Sequence, residues 1–439
     1  MSVPAENQIW DAIIVGAGAA GMAAGIFAAR ALPGRRILAL DGAARLGAKI
    51  LVSGGGRCNV TNAVITPADF NGGSRHVIQR VLAALPVGAT IAFFREVGVE
   101  LRREPTGKLF PTTDQARTVL KALLDELNRL GAVVRVGQKV TRIERHSDGF
   151  LVEPTAVPGQ PTLGSLTSRS VVIATGGLSL PKTGSDGSGY EIVERLGHTL
   201  VPRTPALAPL VLEGGFHGPL SGISHEAALT LRSAGSKPVR IVGSLLWTHF
   251  GLSGPLALDM SRHWLRARLE GRATTLALRF LPGMSRESLD RRLQEQSVAQ
   301  PRAIVRSVLT ADGLPVRIVE AVLVHAGVSP ETPLAHLSRA HRMAAAAAFT
   351  EFLVPVRDSR GYTFAEVTAG GVPLDEIDPS TMQSRRCPGL FLAGDILDVD
   401  GRIGGFNFQW AWSSAQVAAG GLQRWLTDLP ETSPRDDRR

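Results

Sequence analysis

Residues 12–21 read Ala12-Ile-Ile-Val-Gly-Ala-Gly-Ala-Ala-Gly21, and residues 36–41 read Arg36-Ile-Leu-Ala-Leu-Asp41. The first four residues are a short β-branched run, which predicts a strand. Gly16, Gly18 and Gly21 follow at GxGxxG spacing, with Ala20 inside the turn, and a small-residue helix runs on through about Leu32. The second strand ends in a carboxylate, Asp41, twenty residues beyond Gly21. Glycines at this spacing permit a tight turn, close backbone approach to a pyrophosphate and close packing of helix on strand. The helix N-terminus adds free amide donors and partial positive charge, and Asp41 is placed to accept a ribose hydroxyl. The alternative is a glycine-rich turn with no ligand, but the strand before, the helix after and the acid at the right distance favour a dinucleotide.

The same stretch raises a membrane question, because Ala12–Leu32 is a long apolar run. Four glycines interrupt it, so strand, turn and buried helix explain it better than a bilayer span. Residues 1–10 hold no Lys or Arg, which argues against a secretory signal peptide. We therefore expect a soluble, cytoplasmic protein.

Working outward, Gln115–Leu130 shows helical periodicity within a mainly helical stretch, 75–130. Residues 133–136, 139–145 and 150–152 alternate in strand fashion, and 154–168 read as a hairpin tip or loop. Ser170-Val-Val-Ile-Ala-Thr-Gly-Gly177 is a buried strand delivered to a glycine turn. Residues 201–360 change in character, β-type to about Leu281 and then several short helices from Ser285 to Phe352. Afterwards the first pattern resumes: Gly389-Leu-Phe-Leu-Ala-Gly394-Asp395 is strand then turn, and Gly404-Gly-Phe-Asn-Phe-Gln409 opens a C-terminal helix. The polar tail from Glu431 is expected to fray.

Composition sets further bounds. In 439 residues, 44% are hydrophobic and 20% charged, which excludes a disordered polyelectrolyte. Two cysteines, Cys58 and Cys387, exclude a disulfide scaffold and a Cys-rich zinc fold, and no His/Cys spacing suggests a metal site. The net charge is +9, carried by 42 Arg and 6 Lys. Residues 201–360 hold 19 basic and 12 acidic side chains, most of the chain's excess. Codon bias from a GC-rich genome explains the arginines without function; a surface that meets phosphate is the sharper reading.

Three glycine-bearing turns thus follow three strands, at Gly16–Gly21, Thr175–Gly177 and Gly394–Asp395. One ligand binding at their carboxyl ends would use all three, and FAD fits better than NAD. Asp395 would bond a ribityl or phosphate-side hydroxyl. Gly404, Gly405 and the following helix would aim amides at the flavin N1/O2 edge, where reduced flavin carries negative charge. Ser53-Gly54-Gly55-Gly56-Arg57-Cys58-Asn59 packs three glycines beside a cation, a thiol and an amide, as a backbone that approaches a phosphate or flat ring requires. A plain glycine-rich loop is the alternative. No second complete GxGxxG follows a strand, since Gly184-Ser-Asp-Gly-Ser-Gly189 has the wrong order, so a dedicated NAD(P)H domain is not expected.

These pieces resemble the BaiN/RdsA-like (YhiN-like) family of NAD(P)/FAD-dependent oxidoreductases, related to glutathione-reductase-type flavoproteins. The resemblance runs over nearly the whole chain, through Ile14-Val-Gly-Ala-Gly-Ala-Ala-Gly21, Lys49-Ile-Leu-Val-Ser-Gly-Gly-Gly-Arg-Cys-Asn-Val-Thr-Asn62, Phe110-Pro-Thr-Thr113, Ala174-Thr-Gly-Gly177, Thr248-His-Phe-Gly-Leu-Ser-Gly-Pro255, Thr368-Ala-Gly-Gly-Val372, Ala393-Gly-Asp395 and Gly404–Gln409. The Ser53–Asn62 loop is the most specific of them. The resemblance implies an α/β, Rossmann-like FAD-binding domain of the GR2 type (residues 1–200 and 361–439). It is interrupted by a β-barrel-like insert (201–284 and 350–360) that contains a small α-helical domain (285–349). It places Lys49, Thr175, Gly176, Phe406 and Asn407 beside the residues above as cofactor-binding. Asp41 stands where such flavoproteins more often have Glu, giving a shorter reach.

Two residues are candidates for proton transfer. Cys58 is a possible proton donor beside the flavin, with a small buried packing residue as its alternative; no neighbouring cysteine allows a redox disulfide. His249 is a possible acid or substrate contact, or a structural histidine. Tyr190 and Tyr362 are left as core or rim. The resemblance points to reduction of an activated C=C bond, in substrates from steroid-like enones to a uridine of ribosomal RNA, with NADPH or NADH as a transient reductant. The basic insert leans the reading to RNA. The alternatives are a small-molecule enone reductase or amine oxidase, and an RNA-binding protein with purely structural FAD.

Overall fold

A computed structural model describes residues 9–161 and 163–429; the tail from Glu431 lies outside the described residues. By internal contacts the chain divides into two units, Met1–Arg203 with Val367–Arg439, and Thr204–Glu366.

The first unit is built on a seven-stranded sheet. Its order is Ile377–Asp378, Gln383–Ser384, Leu390–Leu392, Val171–Ile173, Ala12–Val15, Ile37–Leu40, Val133–Arg135. The last five pair in parallel, and the other two strands are antiparallel. Each of Ala12–Val15, Ile37–Leu40, Val171–Ile173 and Leu390–Leu392 is buried along its whole length. That explains their continuously apolar sequences: a parallel sheet is covered on both faces.

Register decides where the glycine turns lie. Val15 is opposite both Leu40 and Ile173, and Ile173 opposite Leu392. Three adjacent strands therefore end level with one another, and the three turns leave the sheet along one edge. The helix Ala19–Ala31 and the C-terminal helix Phe406–Asp428 are both rich in small residues and pack on each other. The periodic segment forms the helix Ala116–Arg129 within one residue of expectation at each end.

One reading is corrected. The stretch 75–130 is not mainly helical throughout: Leu101–Arg103 and Lys108–Pro111 form a hairpin paired to Thr61–Asn62. These strands are too short to show alternation. The stretch 154–168, read as a hairpin tip or loop, does connect two antiparallel strands, with strand at both its ends, to Ala156 and from Leu166 to Ser168. By length and composition Arg75–Glu96 also passes as a membrane-crossing helix. Leu85 and Pro86 divide it into two ten-residue helices, Arg75–Ala84 and Val87–Glu96, each about 15 Å long and so shorter than a bilayer core.

The second unit carries a seven-stranded sheet ordered Phe352–Leu353, Thr274–Arg279, Ser224–Ser233, Val239–Thr248, Gly251–Ser253, Leu210–Leu212, Val356–Ser359. Its two edge strands are consecutive in sequence. Laid flat, the edges of such a sheet would lie about 29 Å apart. The chain from Leu353 to Val356 spans at most about 11 Å. The sheet must therefore curl until its edges approach, which makes it barrel-like. The helix Gly254–Leu269 falls inside the stretch read as β-type. Pro255 in its first turn starts it, and Leu256, Ala257, Met260, Trp264 and Leu265 give it a buried face. Helices Arg286–Ala299, Val305–Thr310, Val316–His325 and Arg339–Thr350 come next, and their Leu289, Val322 and Phe349 join the same buried cluster as Leu229 and Trp247 of the sheet.

Packing of the C-terminal helix yields a paired prediction. A Cβ on Gly421 would sit 2.2 Å from the Thr381 carbonyl oxygen, whereas one on Gly420 meets nothing within 4 Å. Gly420→Ala is expected to raise stability by about 0.5–1 kcal/mol, and Gly421→Ala to lower it by roughly 2–3 kcal/mol. Thermal melts of the two variants check this; equal melting temperatures would contradict the packing described.

Candidate functional site

The site is assembled from five turns of the first unit. In the first, Gly16 has φ +95°, and a Cβ there would meet the Ala174 carbonyl oxygen at 2.5 Å. A Cβ on Gly21 would lie 1.8 Å from the Gly16 carbonyl oxygen. Both glycines are thus required by backbone contact within the protein. Gly18 differs, because nothing lies within 4 Å of its missing side chain. It also caps the helix Ala19–Ala31 with no side-chain hydrogen bond, so the first-turn amides have no capping side chain. Asp41 Oδ2 accepts from Ala17 N (2.7 Å) and Oδ1 from Ala43 N (2.8 Å). Burial pushes its pKa up and the two amides oppose that. The shorter acid thus fixes the glycine turn directly, with one lone pair on each oxygen left for a ribose hydroxyl.

The second turn is Lys49–Asn59. A helical stretch from Ala48 breaks at Ser53, and Gly54, Gly55, Gly56 and Cys58 all have positive φ. Gly55, like Gly18, faces open space. Ser53 turns its hydroxyl back to Ile50 O at 2.7 Å. Arg57 donates to Glu104 at 2.6 Å and lies over the Phe110 ring at 3.9 Å. Its charge is thus engaged by the 101–111 hairpin. Cys58 is fully buried in the hydrophobic core, and burial pushes its thiol up to about 12. That environment suits packing better than proton donation near neutral pH. Asn59 is 7% exposed, and its Oδ1 has no hydrogen-bond partner.

Lys49 joins this turn to the third and fourth, at Gly176–Gly177 and Gly394–Asp395. Its Nζ donates to Ser179 Oγ at 3.0 Å and lies 3.7 Å from Asp395 Oδ2. Burial lowers the lysine pKa and raises that of Asp395, and their mutual attraction opposes both shifts. Thr368 Oγ1 accepts from Leu178 N (2.8 Å) and Ser179 N (3.2 Å), holding the turn after Gly176 and Gly177. The Thr175 hydroxyl faces Gly189, where a Cβ would lie 1.9 Å from it. Thr175 therefore seats the helix Ser188–Arg195 by its side chain. Gly394 N donates to Ser414 Oγ at 3.0 Å, and Tyr190, fully buried, donates to Asp395 O at 3.3 Å.

The fifth turn opens the C-terminal helix. Gly404 and Gly405 have φ +124° and +94°. A Cβ on Gly405 would meet Thr61 O at 2.6 Å and the unpartnered Asn59 Oδ1 at 2.9 Å. Asn62 Nδ2 donates to Gly404 O at 3.0 Å. Below, Gln409 is bonded on all sides: Oε1 accepts from Thr61 (2.6 Å) and Thr90 (3.1 Å), and Nε2 donates to Leu85 O (2.7 Å) and Ser413 (3.0 Å). Two expected ligands turn inward instead. Phe406 is 1% exposed and packs on Phe70, and the Asn407 amide bonds both N–H and C=O of Gly401. Asn62, Ser179, Thr368 and Gln409 went unnoticed as site residues; Asn62, Thr368 and Gln409 lie within quoted motifs, but their partners are hundreds of residues away.

The residues fit a dinucleotide. Two glycines face open space, two helices begin without side-chain caps, and one buried amide oxygen waits for a donor. Bound FAD would rest its pyrophosphate on the first turn and helix Ala19–Ala31, with the flavin toward Asn59 and Gly404–Gly405. His249 lies in the second unit, exposed between Val239–Thr248 and Gly251–Ser253, its ring edge-on to Phe250.

Comparison with known proteins agrees with this architecture. Residues 10–421 match the family described as HI0933-like protein Rossmann domain. A ribosomal RNA dihydrouridine synthase of Escherichia coli K12 is 34% identical over 93% of this chain and 97% of its own length. A 3-dehydro-bile acid delta(4,6)-reductase of Clostridium scindens is 30% identical over 92% of this chain and 97% of its own. A quinol fumarate reductase structure from E. coli shares the fold at a TM-score of 0.52 and 16% identity, over 97% of this chain and 72% of that one. The chain belongs to the HI0933-like Rossmann-domain family and is an oxidoreductase built on a Rossmann-type FAD-binding unit.

Proposed function

We propose that this protein is an FAD-dependent reductase of activated C=C bonds whose substrate is a uridine of ribosomal RNA, giving dihydrouridine. The observation that carries the cofactor half is the level ending of three parallel strands at glycine turns. The substrate half rests on the relative named for that reaction, alike over nearly its full length. The bile acid reductase relative supports a second reading, a small-molecule enone reductase. The two named substrates share one chemistry, a double bond conjugated to a carbonyl.

When bound, FAD supplies hydride from N5 to the electron-poor carbon. The protein's share is to hold and to polarise. Gly18 and the first amides of the helix Ala19–Ala31 would hold the pyrophosphate, and Asp41 would orient the ribose. The start of helix Phe406–Asp428 would offer positive dipole to the ring's pyrimidine edge. Asn59 Oδ1, buried without a partner, would accept an N–H from a bound flavin. Lys49 ties three turns together and sets their spacing. The Cys58 thiol, pushed up to about 12 by burial, is a poor source of the second hydrogen. NADPH or NADH serves as transient reductant, and the reading implies a cytoplasmic location.

Two experiments test this reading. Gly18→Val leaves the protein's own packing untouched and fills the ligand's space. It is expected to fold normally yet lose flavin affinity on the order of a hundredfold, read by fluorescence titration. Unchanged affinity would contradict the site. Ribosomal RNA from cells lacking the gene should differ by the mass of two hydrogens at one uridine. Identical RNA, with enone reduction by the purified yellow protein, would favour the small-molecule reading.

A further inference from the structure

The strand Lys108–Pro111 runs beside Thr61–Asn62, with Lys108 directly opposite Asn62. Directly opposed residues of an antiparallel pair lie on the same face. Asn62 reaches from that face to the Gly404 carbonyl oxygen, and Lys108 follows it: its Cε lies 3.6 Å from where a Gly404 Cβ would stand. The ammonium is one bond further on. Hydrogen bonds from Val60 N to Leu109 O (2.9 Å), Ala63 N to Gly107 O (2.8 Å) and Glu104 N to Lys108 O (2.8 Å) fix the backbone on either side. Leu109, on the opposite face, is buried. Lys108 is therefore held at the turn that opens the helix Phe406–Asp428.

Neighbouring cations of these turns are matched by acids. Lys49 lies 3.7 Å from Asp395, Arg57 2.6 Å from Glu104 and Arg402 3.5 Å from Asp69. The half-buried Lys108 ammonium has neither an ion pair nor a hydrogen bond among the described residues. Its position is also electrostatically adverse. The helix Phe406–Asp428 has no acid in its first turn, and Gly405 caps it without a side chain, so its N-terminus carries uncompensated positive dipole. An unpaired cation beside a positive helix end raises the energy of the empty site, and negative charge placed between them lowers it. Asn59 marks the same spot for a ligand: it is 7% exposed, and its unpartnered Oδ1 is 2.9 Å from a Gly405 Cβ. An acceptor set beside amide donors and a cation is the complement of an imide edge, where an N–H is flanked by carbonyl oxygens.

We propose that Lys108 is the counter-charge for reduced flavin: its ammonium faces the N1/O2 edge and makes the site bind reduced FAD more tightly than oxidised FAD. The inference rests on the FAD reading above. Uptake of hydride from a nicotinamide breaks a C–H bond of the donor and forms an N–H bond at N5. Two electrons and one proton enter the ring, which is left with one negative charge at N1 and O2. Backbone amides of the turn can bond a carbonyl oxygen in either state, whereas a full positive charge favours the reduced one. Lys108 therefore raises the reduction potential and draws hydride from the nicotinamide. The conjugated carbonyl of the substrate makes its double bond electron-poor enough to accept that hydride afterwards.

The test takes full-length, flavin-loaded protein and measures its midpoint potential by anaerobic dithionite titration against a reference dye. Affinity for oxidised FAD is read separately by fluorescence titration. Lys108→Met and Lys108→Gln remove the charge, Lys108→Arg keeps it, and Lys237→Met, at an exposed lysine of the second unit, is the control. We expect both neutral variants to bind oxidised FAD within about twofold of wild type and reduced FAD about tenfold more weakly. That ratio lowers the potential of a two-electron couple by about 30 mV. Sulfite, which adds to N5 and leaves the same negative charge on the ring, should bind the neutral variants about tenfold more weakly as well. Lys108→Arg and the control should match wild type. An unchanged potential in the neutral variants, a shift shared by the control, or equal weakening of oxidised and reduced FAD overturns the proposal while leaving the FAD reading intact. Wild-type protein that binds no FAD overturns both.

Discussion

Close backbone approach at the carboxyl ends of three level strands is the constraint on which everything else depends. Gly16 lies against Ala174, Gly21 against Gly16, and Gly394 against Ala20, each at a distance that admits no side chain. These contacts bring the first helix, the turn after Ile173 and the returning C-terminal segment to one edge of the sheet. Ligand space is what remains there, at Gly18 and Gly55. The glycines of one motif thus divide into two kinds, those that let the protein touch itself and those that leave room for something else.

A second layer of polar bonds keeps these turns in place. Lys49 reaches Ser179 and Asp395, Thr368 holds two amides, and Gln409 joins Thr61, Leu85 and Thr90 to the C-terminal helix. Buried polar groups so fully matched specify one arrangement, because each broken bond would strand a partner away from water. Asn59 Oδ1 is the exception within the site, and its missing partner is the mark of a ligand.

Much of the architecture was legible because it is written locally. The strand Ala12–Val15, the helix Ala116–Arg129 and the break in character after residue 200 follow from periodicity and composition. The hairpin Leu101–Pro111 was missed because three-residue strands carry no period, and the helix Gly254–Leu269 because a motif ending at Pro255 drew attention to its start alone. Site residues followed the same rule. Glycines announced themselves by spacing, whereas the direction of a side chain did not. Arg57 pairs with Glu104 over the Phe110 ring, and the side chains of Phe406 and Asn407 pack or bond inward, none of which spacing reveals.

Hydrogen exchange with and without FAD bears most directly on the central claim. The account predicts that amides in 16–21, 48–59, 393–395 and 404–408 gain protection together on a single binding curve. Protection confined to residues 16–21, or separate curves for the N- and C-terminal segments, would contradict it.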